Sequence, residues 1–330
     1  MPLGTNNVTV TTAATFIPDI WSDEIVAAYK KNLVLANLVM KMSFKGKKGD
    51  VVHVPAPTRG SASAKAAGSQ VTLIAATESE VQVSIDKHYE YSRLIEDIVE
   101  AQALNSLRNF YTADAGYSLA KQVDTDLINL GRSTNGGAGT NAYATGAFIG
   151  GDGTTAYVAA NNNESALTDA AIRRTIQRMD DTDTPMDGRF FIIPPSSRNT
   201  LMGLARYTEQ AFVGGTNNTI RTGEIGNLYG IPVFVSSNCD TASGSNNPRV
   251  CLMGHKESVV LVEQIGVRSQ VQYKQEYLAT LFTSDTLYGV QILRAAASAG
   301  AAKSASMFAL IVPAYCSCAP CPSGGGTFLT

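Results

Sequence analysis

The stretch Gly223–Ser237, GEIGNLYGIPVFVSS, has the spacing most suggestive of chemistry: Gly223, Gly226 and Gly230 lead into a short apolar run. Glycine-rich loops hold phosphate when their backbone N–H groups converge on it. A P-loop needs Lys-Ser or Lys-Thr after its glycines, and neither follows here. A dinucleotide fingerprint places its glycines after a strand and before a helix, whereas these precede a strand. The reading left is a tight turn. Gly226 and Gly230 supply backbone freedom, and Pro232 sets the entry of the strand. The lysine-free runs GGAGTNAYATG and GGDGTT read as loop for the same reason.

Metal and nucleophilic chemistry find little more. DDTDTPMDG offers Asp180, Asp181, Asp183 and Asp187, but counting from Asp181, Pro185, Met186 and Ile192 stand where a calcium loop needs Asp or Asn, Gly and Glu. Its simplest reading is an acidic helix-to-strand turn. Cys316, Cys318 and Cys321 cluster near the end. Three thiolates fall one short of a structural zinc site, and a cysteine-containing tail is the plainer reading. Only His53, His88 and His255 are present, and no Gly-x-Ser-x-Gly elbow appears. No cofactor, metal or catalytic residue is expected, although residues brought together by folding leave no such trace. Lys41, Lys45, Lys47 and Lys48 form one basic cluster. A solvated turn is favoured over a nucleic-acid or inter-subunit contact. Arg173, Arg174 and Arg178 read as the wet or interfacial face of a helix.

The bulk composition fits a protein that meets other proteins. The chain has 330 residues, 44% of them hydrophobic and 16% charged, with a net charge of −2. The charged share is below the roughly 25% of ordinary globular proteins. Fewer charges then need desolvating at a contact. A near-neutral chain is not one that grips DNA along its surface. Five cysteines, an odd count, argue against a disulfide framework. The start lacks a basic and apolar signal pattern. The late apolar run Met307–Val312 is far short of the ~20 residues that span a bilayer. A cytoplasmic site of synthesis without membrane insertion is expected.

The elements that must position these residues read as follows. Residues 1–17 are Thr-rich and β-branched, an extended arm; a helix then carries Trp21, Ile25 and Leu33 on one face. VVHVP, QVTLIA and EVQVSID read as strands of a long hairpin with a small-residue tip. Val81, Val83 and Ile85 alternate with polar residues, so one face needs a cover from the same chain or a neighbour. Residues 94–130 have helical period and read as one long helix, kinked near Gly116, or as two in series, with a C-cap at Gly131. After a Gly/Asn-rich loop the second half alternates helix and strand. Thr168 is placed to cap a helix carrying Ile172, Ile176 and Met179. RFFIIPP, IPVFVSS, RVCLMG, ESVVLVEQIG and VRSQVQYKQ are short strands, and YGVQILRAAA closes the folded part.

That order of arm, long hairpin, long helix, α/β unit and return strand resembles the major capsid proteins of tailed bacteriophages, the Hong Kong 97-like fold. GEIGNLYGIPVFVSS looks like the family's glycine turn and strand, GRFFIIPPSSRNTLM like its strand, proline and helix, and SDTLYGVQILRAAA like its last peripheral strand. The likeness runs over about residues 15–298. It implies an α+β fold with an arm and short helix over 1–40, an extended β-hairpin loop over 41–92, and a peripheral domain with a spine helix over 93–164. An α/β axial domain over 165–285, a return strand over 286–300 and a C-terminal tail over 301–330 complete it. The hairpin's apolar face would be covered in trans. Trp21, Arg59, Lys65, Arg173 and Arg178 are the expected inter-subunit contacts.

The resemblance implies a structural, non-enzymatic subunit of an icosahedral virion. Its partners would be its own copies in pentamers and hexamers, a separate scaffolding protein and a portal. It would enclose double-stranded DNA without sequence-specific binding, and be assembled in the bacterial cytoplasm. Lys65 is the only lysine near the loop tip, but no partner asparagine or promoting acid is marked, so no crosslink is expected. An encapsulin-like cargo shell, an α/β enzyme with an unrecognised site and a tail or surface fibre protein are the alternatives, the last disfavoured because the sequence shows no repeats.

Overall fold

The computed structural model describes residues 34–57, 62–71, 73, 78–97, 106–133, 147–204, 226–239, 246–294 and 306–314. The expected arm, the Trp21 helix, Arg59 and the cysteine-rich tail lie outside them. The first described elements are α1 (Leu35–Leu38), β1 (Met40–Ser43), β2 (Val51–Pro57), β3 (Glu78–Ser84), β4 (Lys87–Glu96) and the long helix α2 (Ser106–Ser133). Then come β5 (Ala147–Ile149), α3 (Asp169–Asp181), β6 (Arg189–Ile193), α4 (Pro195–Met202), β7 (Asn227–Leu228) and β8 (Ile231–Val235). The chain continues through β9 (Arg249–His255), β10 (Val259–Lys274), β11 (Ala279–Ile292) and β12 (Met307–Val312).

The strands form a six-stranded mixed sheet in the order β5-β12-β9-β6-β8-β7, a four-stranded sheet in the order β1-β10-β11-β4, and the two-stranded hairpin β2-β3. The six-stranded sheet is buried on both faces. Phe190, Ile192, Leu252 and Ile311 face α1 and α2, while Phe191, Ile193, Cys251 and Leu310 pack in a second cluster with Ile172 and Met179 of α3 and Leu201 of α4. Apolar residues are therefore needed at consecutive positions, which is why these strands read as unbroken apolar runs. Thr168 caps α3 as expected, its hydroxyl accepting from the Ala171 N–H. Pro195 opens α4 at a position that needs no N–H.

The structure departs from the sequence reading in five places. Helix α2 is one helix through Gly116, the first of the two readings, and it runs past the expected C-cap at Gly131 to Ser133. Residues 70, 71 and 73 of QVTLIA are not in a strand, because the β2-β3 register ends at the Pro57–Glu78 pair and gives them no partner. ESVVLVEQIG and VRSQVQYKQ are one continuous strand, β10, whose register shifts at Ile265 mark the break that the sequence suggested. The expected boundary at 285 falls inside β11, and residues 259–285 build the four-stranded sheet. Finally, the folded part does not close at YGVQILRAAA. Met307–Val312 is a fully buried strand between β5 and β9, so the expected tail over 301–330 contains a central strand.

Candidate assembly interface

The hairpin is built by alternation. Val52 and Val83 pair across β2-β3 and turn to the same face, while His53 and Gln82 pair on the other. Val260 and Val262 of β10 cover that apolar face, with Met40, Met42 and Leu287 packed alongside. The resemblance implied cover in trans, but at its root the cover comes from the same chain. Gly289 of β11 lies beneath the root; a Cβ there would come within 2.3 Å of the Ser84 carbonyl oxygen. Only glycine permits that crossing, so Gly289 sets how the hairpin leaves the sheet. Farther out the cover ends. Val71 is exposed and Leu73 is 89% exposed. Lys65 lies in this exposed outer segment.

A second open region lies on β10. Strand β1 pairs with it only over Val260–Glu263. From Val267 to Lys274 β11 flanks one side, and no strand pairs with the other among the described residues. Val271 is 53% and Tyr273 47% exposed there, with Val267, Tyr277 and Leu278 exposed beside them. An unpaired strand edge is a template for another chain unless it is blunted. The opposite edge, β4, carries Lys87, His88, Glu90, Arg93 and Glu96, charges of the kind that blunt an edge. Arg93 also stacks on Tyr111 of α2 at 4.6 Å, and Tyr91 donates to Asp114. The β10 edge has only Arg268 and Lys274. Arg268 is engaged in a two-pronged contact with Asp285, at 2.7 and 2.8 Å, which holds that carboxyl below its usual range. His88 also meets Asp285, at 3.2 Å.

The other expected positions are dispersed. Arg173 is exposed on α3 and pairs with Asp169 at 2.9 Å. Arg178 is half-buried, its guanidinium 3.4 Å from the Phe148 ring centre, and burial lowers its pKa. Of the wet or interfacial face expected of it, the wet reading does not hold for Arg178, because Phe148 of β5 lies against its guanidinium. Trp21 and Arg59 lie outside the described residues. In the basic cluster, Lys47 lies over the Phe44 ring, and the Lys47 and Gly49 carbonyls accept from the Gln264 amide, folding the turn back on β10.

The glycine stretch is a turn among its described residues. Tyr229 and Gly230 both have positive φ, at 52° and 81°, and link β7 to β8 as a two-residue hairpin. The Val233 N–H donates to the Gly226 carbonyl, so it is not aimed at a ligand. In the acidic turn, Asp180 accepts from Arg189 at 2.7 Å. No group of three or more His, Cys, Asp or Glu is placed to hold a metal among the described residues. The Cys251 thiol is fully buried and pushed up to about 12 by burial, which leaves no thiolate for nucleophilic work. The cleft beside Pro194, Ser196, Ser237 and Arg249 has no carboxylate or imidazole in its lining to act as a base. No described helix is long and apolar enough to cross a membrane. Sequence reasoning missed Gly289 and the open β10 edge. The close approach at Gly289 is not encoded locally, and the alternation in VRSQVQYK looked like half-burial.

Comparison with known proteins agrees with this architecture. No curated protein sequence matches the chain. A solved structure from Mycobacterium phage Che8 is similar at a TM-score of 0.70 and 21% identity, covering 93% of this chain and 98% of its own. The capsid structure of the cyanophage P-SCSP1u is similar at 0.71 and 20%, covering 94% and 96%. The capsid of Ralstonia phage GP4 is similar at 0.65 and 14%, covering 90% and 95%. The fold is that of these phage structures, the α+β architecture that the resemblance implied. A family model described as phage capsid protein matches residues 78–304. That match takes in everything from β3 to β11, and the chain belongs to the phage capsid protein family.

Proposed function

We propose that copies of this chain close into the icosahedral shell of a tailed double-stranded DNA phage, with the outer hairpin and the open β10 edge as contacts between copies. The observation that carries the reading is the apolar surface left uncovered among the described residues: Leu73 on the hairpin, and Val271 and Tyr273 on a strand edge that no described strand pairs. Surfaces of this kind are liabilities in a monomer and contacts in an assembly. The two regions are different surfaces, so contact between them is head-to-tail and closes into rings. Each contact is weak, but several act on every subunit, and multivalency holds the shell. Near-neutral charge suits a wall that encloses DNA without gripping it. The role is structural, without catalysis. Lys65, Arg173 and Arg178, with Trp21 and Arg59, are further contact candidates. A separate scaffolding protein, a portal and assembly in the bacterial cytoplasm complete the reading. Electron microscopy of the purified chain, alone and co-expressed with phage partners, tests it. Closed shells or capsomer rings are expected, DNA contents separating a virus from a protein-cargo compartment. Compact dimers or tetramers under every condition would overturn it.

A further inference from the structure

Helix α2 touches both sheets through two carboxylates, Asp124 and Asp126, and they differ in one respect. Asp126 accepts from the Tyr288 hydroxyl at 2.8 Å and pairs with Lys87 at 3.2 Å, joining α2 to the four-stranded sheet. Asp124 is fully buried. Its Oδ1 accepts from the Leu35 N–H at 2.9 Å and the Ala36 N–H at 3.4 Å, and its Oδ2 accepts from the Asn238 amide at 3.0 Å. These partners lie on α1 and on the turn after β8, so one carboxylate joins the long helix, the six-stranded sheet and α1.

None of those donors is charged. On its own helix the neighbour is the Thr125 hydroxyl, 3.3 Å from the Asn238 amide. In the same turn Cys239 is buried, and the Arg249 guanidinium of β9 donates to the Cys239 carbonyl at 3.1 Å. No ion pair reaches Asp124 among the described residues. A buried anion without a cation is unfavourable even when hydrogen-bonded. Burial outweighs the hydrogen bonds and raises its pKa.

The geometry would accept a neutral group. A protonated carboxyl, or an amide of the same shape, keeps one oxygen for the Leu35 and Ala36 N–H groups. Its other atom then donates to Asn238, once the Asn238 amide turns over to present its oxygen.

We propose that Asp124 is a positioning residue whose charge loosens the joint that its shape makes. It docks α1 onto α2 and the six-stranded sheet, and the joint tightens when the side chain is neutral. The sign follows from the burial: the carboxyl is fully enclosed, its partners are all neutral donors, and no cation lies beside it among the described residues. The neutral form is favoured by the fold, so the joint is firmest at acid pH and weakens as pH rises through the folded-state value.

Hydrogen–deuterium exchange of the unassembled full chain tests this without depending on shell formation. Peptides covering residues 34–39 and 236–239 are followed at about pH 7 and about pH 5, corrected for intrinsic exchange. In the wild type, protection of these peptides rises at the lower pH. Asp124→Asn gives high protection at both pH values. Its Tm is a few degrees higher at neutral pH, and that advantage shrinks in acid. Asp124→Ala, which removes the acceptors, loses protection at both. Lower protection and a lower Tm for Asp124→Asn would overturn the proposal, because the charge would then be holding the joint. So would a wild-type profile that does not change with pH, a result that needs no variant to fold.

Discussion

The six-stranded sheet and the outer half of β10 both carry apolar side chains on strands, and those side chains end in opposite environments. MFALIV of β12 is buried throughout, between two neighbouring strands. VRSQVQYK of β10 has Val and Tyr at alternate positions, yet is exposed along almost its whole length. Strand β10 shows the contrast within itself: Val259–Val262 are buried beside β1, and Val267–Tyr273 are open where β1 has ended. Burial here follows both what lies alongside a strand and what the strand contains: the apolar Val259–Val262 has β1 beside it, and the mixed Val267–Lys274 does not. The covered region gives the single chain its stability, and the open region is the surface proposed to meet other copies.

The largest effect on that contrast should come from putting a charge where cover is complete. Leu310→Asp places an unpaired carboxylate at a fully buried position. The lost burial and the buried charge together cost more than about 5 kcal/mol, comparable to a typical domain's whole stability of roughly 5–15 kcal/mol. Loss of soluble protein and of the cooperative thermal transition is expected. At the border between the regions, Gly289→Ala forces the hairpin root away from β11. A cost of about 1–3 kcal/mol is expected in thermal unfolding, with assembly impaired more than folding. Thr168→Ala removes only the cap of α3 and should cost about 1 kcal/mol, seen as a modest fall in Tm with assembly intact. The smallest effect on stability belongs to the open edge. Val271→Lys with Tyr273→Lys should leave unfolding within about ±0.5 kcal/mol of the parent. The same pair should abolish shells in micrographs. If it unfolds the chain instead, β10 is covered by its own chain after all.

How much of this was legible follows the same line. Elements that depend on near neighbours in sequence could be read: the Val81–Val83–Ile85 alternation, the Thr168 cap, and the turn at Gly226–Gly230. Elements that depend on distant partners could not. Met307–Val312 carries the apolar run of a core strand, but its small-residue flanks hide that β5 and β9 lie beside it. Asp124 has the look of a solvated helix position, since its partners are 88, 89 and 114 residues away. The exposure of Val271 and Tyr273 is equally invisible, because alternation reports a strand and says nothing of whether a second layer covers it. The resemblance carried the architecture further than the local patterns did, and erred on the hairpin root, which Val260 and Val262 cover in cis.

The most direct test of the account is a side-chain-resolution electron microscopy reconstruction of the assembled shell. The account predicts that residues 62–73 of the hairpin and 267–278 around the β10 edge are buried against neighbouring copies, with β12 unchanged inside each subunit. A closed shell in which Leu73, Val271 and Tyr273 still face solvent would contradict it.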